Sequence, residues 1–495
     1  MKPFILSIDA GTTGITVVLI DKAGKVIKKY YQEFTQLYPK PGWVEHDADE
    51  IWDTTLHLLM LAFKENSPSD CKGIGITNQR ETTVIWNRET SKPIHNAIVW
   101  QCRRTSSICT QLSEDGLDQI FKEKTGLVLD SYFSGTKIKW LLDNVKGARK
   151  NAESGKLAFG TIDTWLVWKL TEEIAHVTDY TNASRTLLFN INSLQWDEAL
   201  LDYLHIPHNL LPQVLPSAGE FGRTRLFGTL IPICGIAGDQ QAALFGQGCF
   251  DPGETKCTYG TGCFMLTNTG KDAIQSTAGL LTTIAIDNFG KPAYALEGSV
   301  FIGGALIQWL RDELQLINHA SDSEEMAQSV PNSNGVVIVP AFTGLGAPYW
   351  DMNARGTISG LTRGVNKNHI IRAALESIAF QVRDLLESVF KDLDVELSAL
   401  KVDGGAVTNN FLMQFQSDIL NLHIVRPENI ESTALGAAFL AGLQSGFWEN
   451  SDELKSLLQT DREFSSQMDE DSRSKLVHAW QAAVRRTLSN SNSPR

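Results

Sequence analysis

The stretch SIDAGTTGITVVLID, residues 7–21, decides the fold, because strand, acid and turn signals meet within it. A short apolar run ends at Asp9, a Gly-Thr-Thr-Gly turn follows, and a β-branched run continues over Ile15–Ile20. This pattern predicts two strands joined by a tight turn. The N–H groups and hydroxyls beside the carboxylate suit phosphate oxygens with a bridged Mg²⁺. An ordinary turn with an Asx-type hydrogen bond explains the same residues equally well.

Further strands and helices around this stretch predict an α/β fold. A Gly-containing turn leads into a third strand over Lys25–Tyr31. The runs Cys71–Thr77 and Thr82–Asn87 have strand character, and helical periodicity covers Ile51–Phe63 and Ser134–Leu142. Alternation of these element types is typical of α/β domains.

The same order of elements begins again in the middle of the chain. PICGIAGDQQAALFG, residues 232–246, has a strand, an acid and a helix, and KCTYGTGCFMLTNTG, residues 256–270, predicts a hairpin around a Gly-Thr-Gly turn. KVDGGAVTNN, residues 401–410, is a further glycine loop before an amphipathic helix over Phe411–Leu420. We therefore expect two similar α/β domains that face a shared cleft.

These patterns divide the chain into residues 1–248, residues 249–446 and a C-terminal helical appendage over residues 447–495. The appendage is charged and ends in a helix with one apolar face, formed by Val477, Trp480, Val484 and Leu488. This face predicts a packing role for the appendage.

Composition disfavours several function classes. The net charge of −13 over 495 residues argues against nucleic-acid binding, which needs a dense basic stripe. No apolar run approaches the ~20 residues of a membrane span, and the N-terminal run is too short and too soon acidic for a signal peptide. The seven cysteines are scattered without a C-x-x-C pair, so neither a zinc site nor a disulfide framework is indicated. We expect a reducing, cytoplasmic location and no membrane insertion.

Candidate functional residues follow other strands. Asp239 stands between a strand and a helix, where capping explains it better than ligand binding does when it is taken alone. Arg80 and Glu81 lie in a connector between strands, and Trp100 ends another apolar run. A solvated turn explains the two charges, but ionic groups beside an aromatic face also suit a polyol.

The run GSVFIGGALIQWLRDEL, residues 298–314, predicts a mostly apolar helix with Gly303 and Gly304 inside it. Each interior glycine costs about 1 kcal/mol relative to alanine, so a close approach of another helix or of a ligand should accompany it. The pattern fits helix packing and ligand binding equally well. Gln308 shares a helix face with Gly304.

Two common nucleotide-binding patterns are missing from the sequence. G-x-x-x-x-G-K-[ST] does not occur, and GTGCFM at residues 260–265 has Met265 where the third glycine of the Rossmann fingerprint belongs. A Walker-A nucleotide site and a Rossmann dehydrogenase are therefore poorly supported.

Taken in order, these segments resemble the FGGY carbohydrate kinase family, and within it most closely the branch that phosphorylates glycerol. The resemblance covers nearly the whole chain and rests on long matches: YPKPGWVEHD (38–47), GITNQRETT (75–83), NAIVWQCRRT (96–105), YFSGTKIKW (132–140), DTWLVWKLT (163–171), VTDYTNASRT (177–186), GIAGDQQAALFGQ (235–247), YGTGCFML (259–266), VPAFTGLGAPYWD (339–351) and VDGGAVTNNFLMQFQSDIL (402–420). It implies two actin-like, ribonuclease-H-type α/β domains that close on ATP and substrate. It also implies a homodimer or homotetramer that serves glycerol uptake and catabolism.

The resemblance assigns roles to single positions. The expected reaction converts ATP and glycerol to ADP and sn-glycerol 3-phosphate, with Asp239 as general base and Asp9 holding Mg²⁺. The positions that match the glycerol pocket are Arg80, Glu81, Trp100, Tyr132, Asp239, Gln240 and Phe264. The positions that match ATP binding are Thr12, Thr13, Gly14, Thr261, Gly304, Gln308, Gly405 and Asn409.

The chain departs from the family pattern at two places. The first phosphate loop of the family usually continues Asp-Gln-Gly-Thr-Thr-Ser-Ser-Arg, but Ala10, Gly14 and Thr16 replace the Gln, the first Ser and the Arg. Loss of the guanidinium predicts weaker ATP binding or slower transfer. Some bacterial members bind fructose 1,6-bisphosphate through a Gly-Gly-Thr-Arg loop, whereas Leu230 replaces the arginine here. This change predicts little or no inhibition by that sugar bisphosphate.

Two other functions stay open. A different FGGY sugar kinase, for xylulose, ribulose or gluconate, is disfavoured because the Arg80-Glu81 and Trp100 motifs match the glycerol branch. A catalytically weak nucleotide-binding or regulatory homologue is permitted by the altered loop, but Asp9 and Asp239 both persist.

Overall fold

The computed structural model describes residues 3–393 and 397–489 and contains two large mixed sheets with helices packed on them. The strands are β1 (Phe4–Ala10), β2 (Gly14–Ile20), β3 (Val26–Glu33), β4 (Glu45–His46), β5 (Cys71–Asn78), β6 (Val84–Asn87), β7 (Ala97–Ile98), β8 (Leu157–Gly160), β9 (Val177–Asp179), β10 (Phe189–Asn190), β11 (Gln195–Trp196), β12 (Gln213–Leu215), β13 (Ala218–Thr224), β14 (Ile231–Gly238), β15 (Thr255–Tyr259), β16 (Cys263–Gly270), β17 (Leu281–Ile286), β18 (Pro292–Val300), β19 (Val337–Val339), β20 (Thr357–Ser359), β21 (Ala399–Asp403), β22 (His423–Pro427) and β23 (Thr460–Phe464). The helices are α1 (Ala48–Glu65), α2 (Ser106–Glu114), α3 (Asp118–Thr125), α4 (Ser134–Asn144), α5 (Ala148–Glu153), α6 (Ile162–Leu170), α7 (Tyr180–Ala183), α8 (Glu198–Leu204), α9 (Asp239–Gly246), α10 (Gly304–Asp312), α11 (Asp322–Gln328), α12 (Lys367–Asp392), α13 (Asn410–Leu420), α14 (Ser432–Gln444), α15 (Ser451–Leu457) and α16 (Glu470–Thr487).

The two large sheets repeat one topology. The first has the order β13-β14-β5-β1-β2-β3, and the second has the order β17-β18-β16-β15-β21-β22-β23. In the first, β1 is antiparallel to β2 and parallel to β5, which is parallel to β14. In the second, β15 is antiparallel to β16 and parallel to β21, which is parallel to β22. The Gly-Thr-Thr turn after β1 and the Gly-Thr-Gly turn after β15 therefore occupy equivalent positions, as expected for two similar α/β units.

Most elements predicted from periodicity are present, with bounds that differ by up to three residues. The helix predicted over 298–314 is wrong in its first third: residues up to Val300 finish β18, and α10 begins only at Gly304. The glycines therefore begin the helix and do not interrupt it. The wrong prediction has a simple cause, since a continuous apolar run fits a buried strand as well as a buried helix.

Helix α14 comes late in the chain but covers the first sheet. Its apolar side chains share a core with Ile5 and Val18 of that sheet and with Phe245 of α9. A Cβ atom on Gly75 of β5 would overlap the carbonyl of Ala437, and one on Gly436 would overlap the carbonyl of Ala242. Backbones meet so closely here that only glycine fits.

The segment after Gly446 adds β23 and α16 to the second unit, whereas Leu454 of α15 is buried in the core that α14 shares with the first sheet. β23 pairs with β22 and forms the edge of the second sheet. Val477, Trp480 and Val484 of α16 are buried in the core of that unit, where Trp480 stacks on Phe380. The domain boundaries 1–248, 249–446 and 447–495 stay a prediction.

All seven cysteines are buried free thiols. Among residues 3–393 and 397–489, no helix combines the length and the apolar character needed to cross a bilayer.

Candidate active site

The ends of three parallel strands bring the predicted polar residues to one edge of the first sheet. Asp9 stands near the end of β1, Arg80 and Glu81 follow β5, and Asp239 follows β14 as the first residue of α9. Carboxyl ends of parallel strands are where ligand sites gather in α/β sheets. Asp239 does not cap α9, since Gly238 holds the N-cap position and no side chain accepts a capping hydrogen bond there.

Arg80 is the centre of the polar cluster. Its Nε lies 3.1 Å from Asp239 Oδ1, and its Nη2 lies 3.5 Å from the Tyr132 hydroxyl. Nη1 and Nη2 donate to the two carboxylate oxygens of Glu297 at 2.6 and 2.8 Å. Glu297 thus fixes the orientation of the Arg80 guanidinium plane, and the Nε–H of Arg80 faces Asp239.

Glu81 faces a second buried arginine. Its Oε1 accepts from Arg185 Nε at 2.7 Å, and Arg185 Nη2 donates to Glu297 at 3.0 Å. Burial raises the pKa of the Glu81 carboxyl, although Arg185 and Arg80 oppose the rise. Glu81 also has a left-handed φ of 60°, a conformation that strains a non-glycine residue and is concentrated at functional sites.

Three aromatic rings form an apolar wall beside this cluster. The Trp100 ring lies 5.6 Å from the Tyr132 ring and 6.1 Å from the Phe264 ring, both measured between centroids. Trp100 Nε1 donates to Thr12 Oγ1 at 3.0 Å. The wall is therefore tied directly to the Gly-Thr-Thr turn after β1, so the candidate polyol and phosphate sites adjoin.

The environment of Asp239 keeps its carboxyl basic. Burial raises its pKa, with Arg80 and Lys256 opposing the rise, while 28% of the side chain stays exposed. Its Oδ1 accepts from the backbone N–H of Gln240 at 2.8 Å. Gln240 in turn accepts from Lys256 Nζ at 2.6 Å, which orients its amide.

Asp9 is the candidate magnesium ligand. Burial and the negative charges of Asp239 and Glu431 raise its pKa to about 7, with Lys29 as the opposing cation. A divalent cation would relieve this repulsion. Within the described residues no three His, Cys, Asp or Glu side chains could hold a metal together. Mg²⁺ needs no such group, because it binds through one or two carboxylates, water and substrate phosphates. The residues present therefore fit Mg²⁺.

The second glycine turn closes against the start of α10. The backbone N–H of Gly303 donates to the Thr261 carbonyl at 2.8 Å, and that of Gly304 donates to the Gly260 carbonyl at 2.9 Å. A Cβ on Gly304 would lie 2.7 Å from the same Gly260 oxygen. The turn that carries the predicted ATP position Thr261 thus contacts the start of the helix that carries Gly304.

The other predicted ATP positions are more dispersed. Gln308 is exposed one turn along α10. Gly405 begins a short 3₁₀ turn, and a Cβ there would meet open space. The Asn409 side chain accepts from Leu412 N and donates to Ser323, so it caps α13. Gly404, just before Gly405, approaches the end of β15, where a Cβ on it would lie 2.6 Å from the Tyr259 carbonyl oxygen.

Sequence reasoning missed Glu297, Arg185 and Lys256. All three are fully buried charges, and each makes a hydrogen bond to a predicted site residue. The signal was available: Glu297 and Lys256 are lone charges inside apolar strands, a placement that requires a buried partner.

Models of the FGGY family of carbohydrate kinases match most of the chain, the N-terminal domain over residues 4–246 and the C-terminal domain over residues 255–445. The chain belongs to the FGGY family of carbohydrate kinases. The predicted fold class, two actin-like, ribonuclease-H-type α/β domains, is confirmed with it.

Individual relatives and solved structures show which members of the family the chain resembles. The chain is 59% identical to a glycerol kinase of Carboxydothermus hydrogenoformans over 490 residues, 98% of each chain. It is 56% identical to glycerol kinase 2 of Thermotoga maritima over 489 residues, 98% of this chain and 99% of that one. The structure of Plasmodium falciparum glycerol kinase with ADP superposes with a TM-score of 0.90 at 41% identity, covering 98% of both chains. A xylulose kinase of Lactobacillus acidophilus shares the fold at 24% identity, with a TM-score of 0.87 and 98% of both chains covered.

Proposed function

We propose that this FGGY kinase transfers the γ-phosphoryl group of ATP to glycerol and releases ADP and sn-glycerol 3-phosphate. The observation that carries the proposal is the contact of Arg80 with Asp239 beside the Trp100–Phe264 wall. Charged groups would fix the vicinal hydroxyls, and the rings would cover the carbon chain. The match to glycerol kinases over nearly the whole chain supports the same substrate.

The pocket is proposed to contain Arg80, Glu81, Trp100, Tyr132, Asp239, Gln240 and Phe264. Asp239 takes the proton of the terminal hydroxyl as the oxygen bonds to the γ-phosphorus, and the bond to the β-phosphate oxygen breaks with its electron pair leaving on ADP. Arg80 and Gln240 N–H hold the Asp239 carboxylate in position. Closure of the aromatic wall excludes water, a competing acceptor similar to a glycerol hydroxyl.

ATP is proposed to bind at the two equivalent glycine turns. The positions are Thr12, Thr13, Gly14, Thr261, Gly304, Gln308, Gly405 and Asn409, with Asp9 holding Mg²⁺. The bound ion would neutralise phosphate charge during transfer. Backbone N–H groups and threonine hydroxyls in the turns would position the phosphate oxygens.

A coupled ADP-release assay over a panel of acceptors tests the function. We expect rapid turnover with glycerol and only slow turnover with xylulose, ribulose and gluconate, with sn-glycerol 3-phosphate as the chiral product. Faster turnover with one of the sugars than with glycerol would show that this sugar, and not glycerol, is the substrate. ADP release no faster than without any acceptor would favour a catalytically weak homologue.

Thr16→Arg is expected to lower the KM for ATP by about 3- to 10-fold, since a guanidinium would add a charge-assisted contact to the phosphates. Thr16 lies between Asp9 of β1 and Tyr31 of β3 in the sheet. The Tyr31 ring covers the space beside Gly14, where a Cβ would lie 2.8 Å from Tyr31 Cε2. Steady-state kinetics with Thr16→Gln as the uncharged control of similar length separates charge from bulk. Unchanged KM and kcat would refute the role of this departure.

Fructose 1,6-bisphosphate is expected to leave the rate unchanged. Leu230 is 44% exposed where the inhibited relatives carry an arginine, and the neighbouring Phe227 packs on Phe63 at 4.6 Å between ring centroids. The loop thus offers an apolar surface where a bisphosphate needs a cation. Initial rates at saturating substrates with added sugar bisphosphate check this, and strong inhibition would contradict it.

A homodimer or homotetramer and a cytoplasmic location are further proposals, supported by the family alone. Light scattering on the purified protein measures the first directly.

A further inference from the structure

Glu297 comes from the second sheet but binds residues of the first unit. It lies on β18, is 0% exposed, and accepts both Nη groups of Arg80. Its Oε1 also accepts from Arg185 and from the Ser299 hydroxyl at 3.3 Å. Burial alone would raise the pKa of this carboxyl, but the guanidinium groups of Arg185 and Arg80 lower it to about 2. The two arginines therefore stabilise the ionised form of Glu297.

The four groups Arg80, Glu297, Arg185 and Glu81 form one buried network with no net charge. All four are at most 2% exposed. Glu297 bridges the two arginines, Arg185 binds Glu81, and Arg80 Nε lies 3.9 Å from Glu81 Oε1. Breaking such a network by removing one partner leaves a buried charge uncompensated.

The network decides which atoms of Arg80 face the pocket. Both Nη groups donate to Glu297, with longer bonds to Gln241 and the Tyr132 hydroxyl, whereas Nε faces Asp239. Without Glu297, the guanidinium would lose its two shortest hydrogen bonds and would be able to turn an Nη group toward Asp239, in the bidentate geometry that guanidinium and carboxylate favour. The proposed base would then be less basic and held away from the substrate.

We propose that Glu297 is a positioning residue for the glycerol pocket: from the second unit it holds the Arg80 guanidinium so that one edge serves the substrate and Asp239 stays available as base. The inference rests on the proposed function. Because Arg80 and Glu297 belong to different sheets, the pocket is built from residues of both units.

Glu297→Gln keeps the shape of the side chain and removes its charge. We expect the KM for glycerol to rise on the order of 10- to 100-fold, the range given by one lost charged hydrogen-bond pair. The KM for ATP should stay within about twofold, because the ATP positions do not contact this network. The acid limb of the kcat profile should move to lower pH, since the negative charge of Glu297 helps to raise the pKa of Asp239.

Glu376→Gln is the matched control. Glu376 is a buried glutamate on α12 that accepts from Arg372 Nε at 2.7 Å, away from the pocket. Its loss should lower the melting temperature and leave the KM for glycerol and the pH limb unchanged. Equal kinetic effects of the two variants, or a folded Glu297→Gln enzyme with wild-type KM and pH limb, would overturn the proposal.

Glu297→Asp covers the case in which the glutamine variant does not fold. It keeps the charge but is one methylene shorter, so it reaches only part of the Arg80 fork, and an intermediate rise in KM is expected. A wild-type KM in this variant would overturn the proposal. Calorimetric binding of glycerol to the wild-type protein distinguishes failure of the proposed function from failure of the role of Glu297. If the wild type neither binds nor phosphorylates glycerol, the proposed substrate is wrong. If the wild type is active and the Glu297 variants are unaffected, only the role of Glu297 is wrong.

Discussion

Asp239→Asn is expected to lower kcat by about 10²- to 10⁴-fold, the usual contribution of a placed general base. The amide keeps an oxygen for the N–H of Gln240 and is similar in size, so the fold and the pocket should persist. It cannot accept the proton of the attacking hydroxyl. We expect the KM for ATP to stay unchanged, because the effect is confined to the acceptor side of the transfer.

The pH profile gives an independent measurement of the same role. Burial raises the pKa of Asp239 above its ordinary value of 3.8. Since the base acts when deprotonated, kcat should rise with pH through this raised pKa and then level off, and the variant should lack this limb. Asp312→Asn, which removes a surface carboxylate paired with Arg311, serves as control and should behave as wild type. An Asp239→Asn enzyme that keeps most of its kcat would remove the residue from the mechanism.

Asp9→Asn is expected to lower kcat/KM for MgATP by at least about 10²-fold, because the carboxylate is the proposed protein ligand of the ion. Glycerol binding, measured by calorimetry without nucleotide, should be nearly unchanged. A titration of rate against free Mg²⁺ should show a weaker apparent affinity in the variant. Similar Mg²⁺ dependence in both proteins would contradict the assignment.

Thermal stability without nucleotide offers a second readout for Asp9. Its carboxyl has a pKa of about 7 when folded against an ordinary value of 3.8, so the folded protein holds a proton between these pH values that the unfolded chain has released. Stability therefore falls as pH rises from about 4 to about 7. Asp9→Asn removes this loss, and the variant should melt higher than wild type at pH 8 and alike near pH 4. Added Mg²⁺ should stabilise only the wild type at pH 8.

The strands and helices near the site could be predicted because their patterns are local. Short apolar and β-branched runs defined β1 and β2, and the strand-acid-helix order defined β14 and α9. The role of Asp239 could not be read locally: capping explained it best from sequence, yet Gly238 holds the cap position. Only the resemblance favoured a ligand role for Asp239 over a cap.

Local sequence patterns could not identify which buried charges pair with each other, because the partners lie far apart in the sequence. Glu297 lies 217 positions along the chain from Arg80, and Arg185 lies 104 from Glu81. The sequence indicates that a lone charge in an apolar strand needs a partner, but it does not say which one. The ion pairs of Glu297 with Arg80 and Arg185 form only because the two sheets pack together in the repeated topology. The weak similarity of the two glycine turns suggests this repeat but does not establish it.

The close contact of α14 with the first sheet has a consequence for synthesis. The face of β5 around Gly75 is covered by a helix that begins at Ser432, more than three hundred residues later in the chain. During translation, domains generally fold as units from the N-terminal end. The face of the first sheet that α14 covers therefore stays uncovered until translation has passed residue 444. The core of the first sheet can therefore be completed only after most of the second unit has been synthesised.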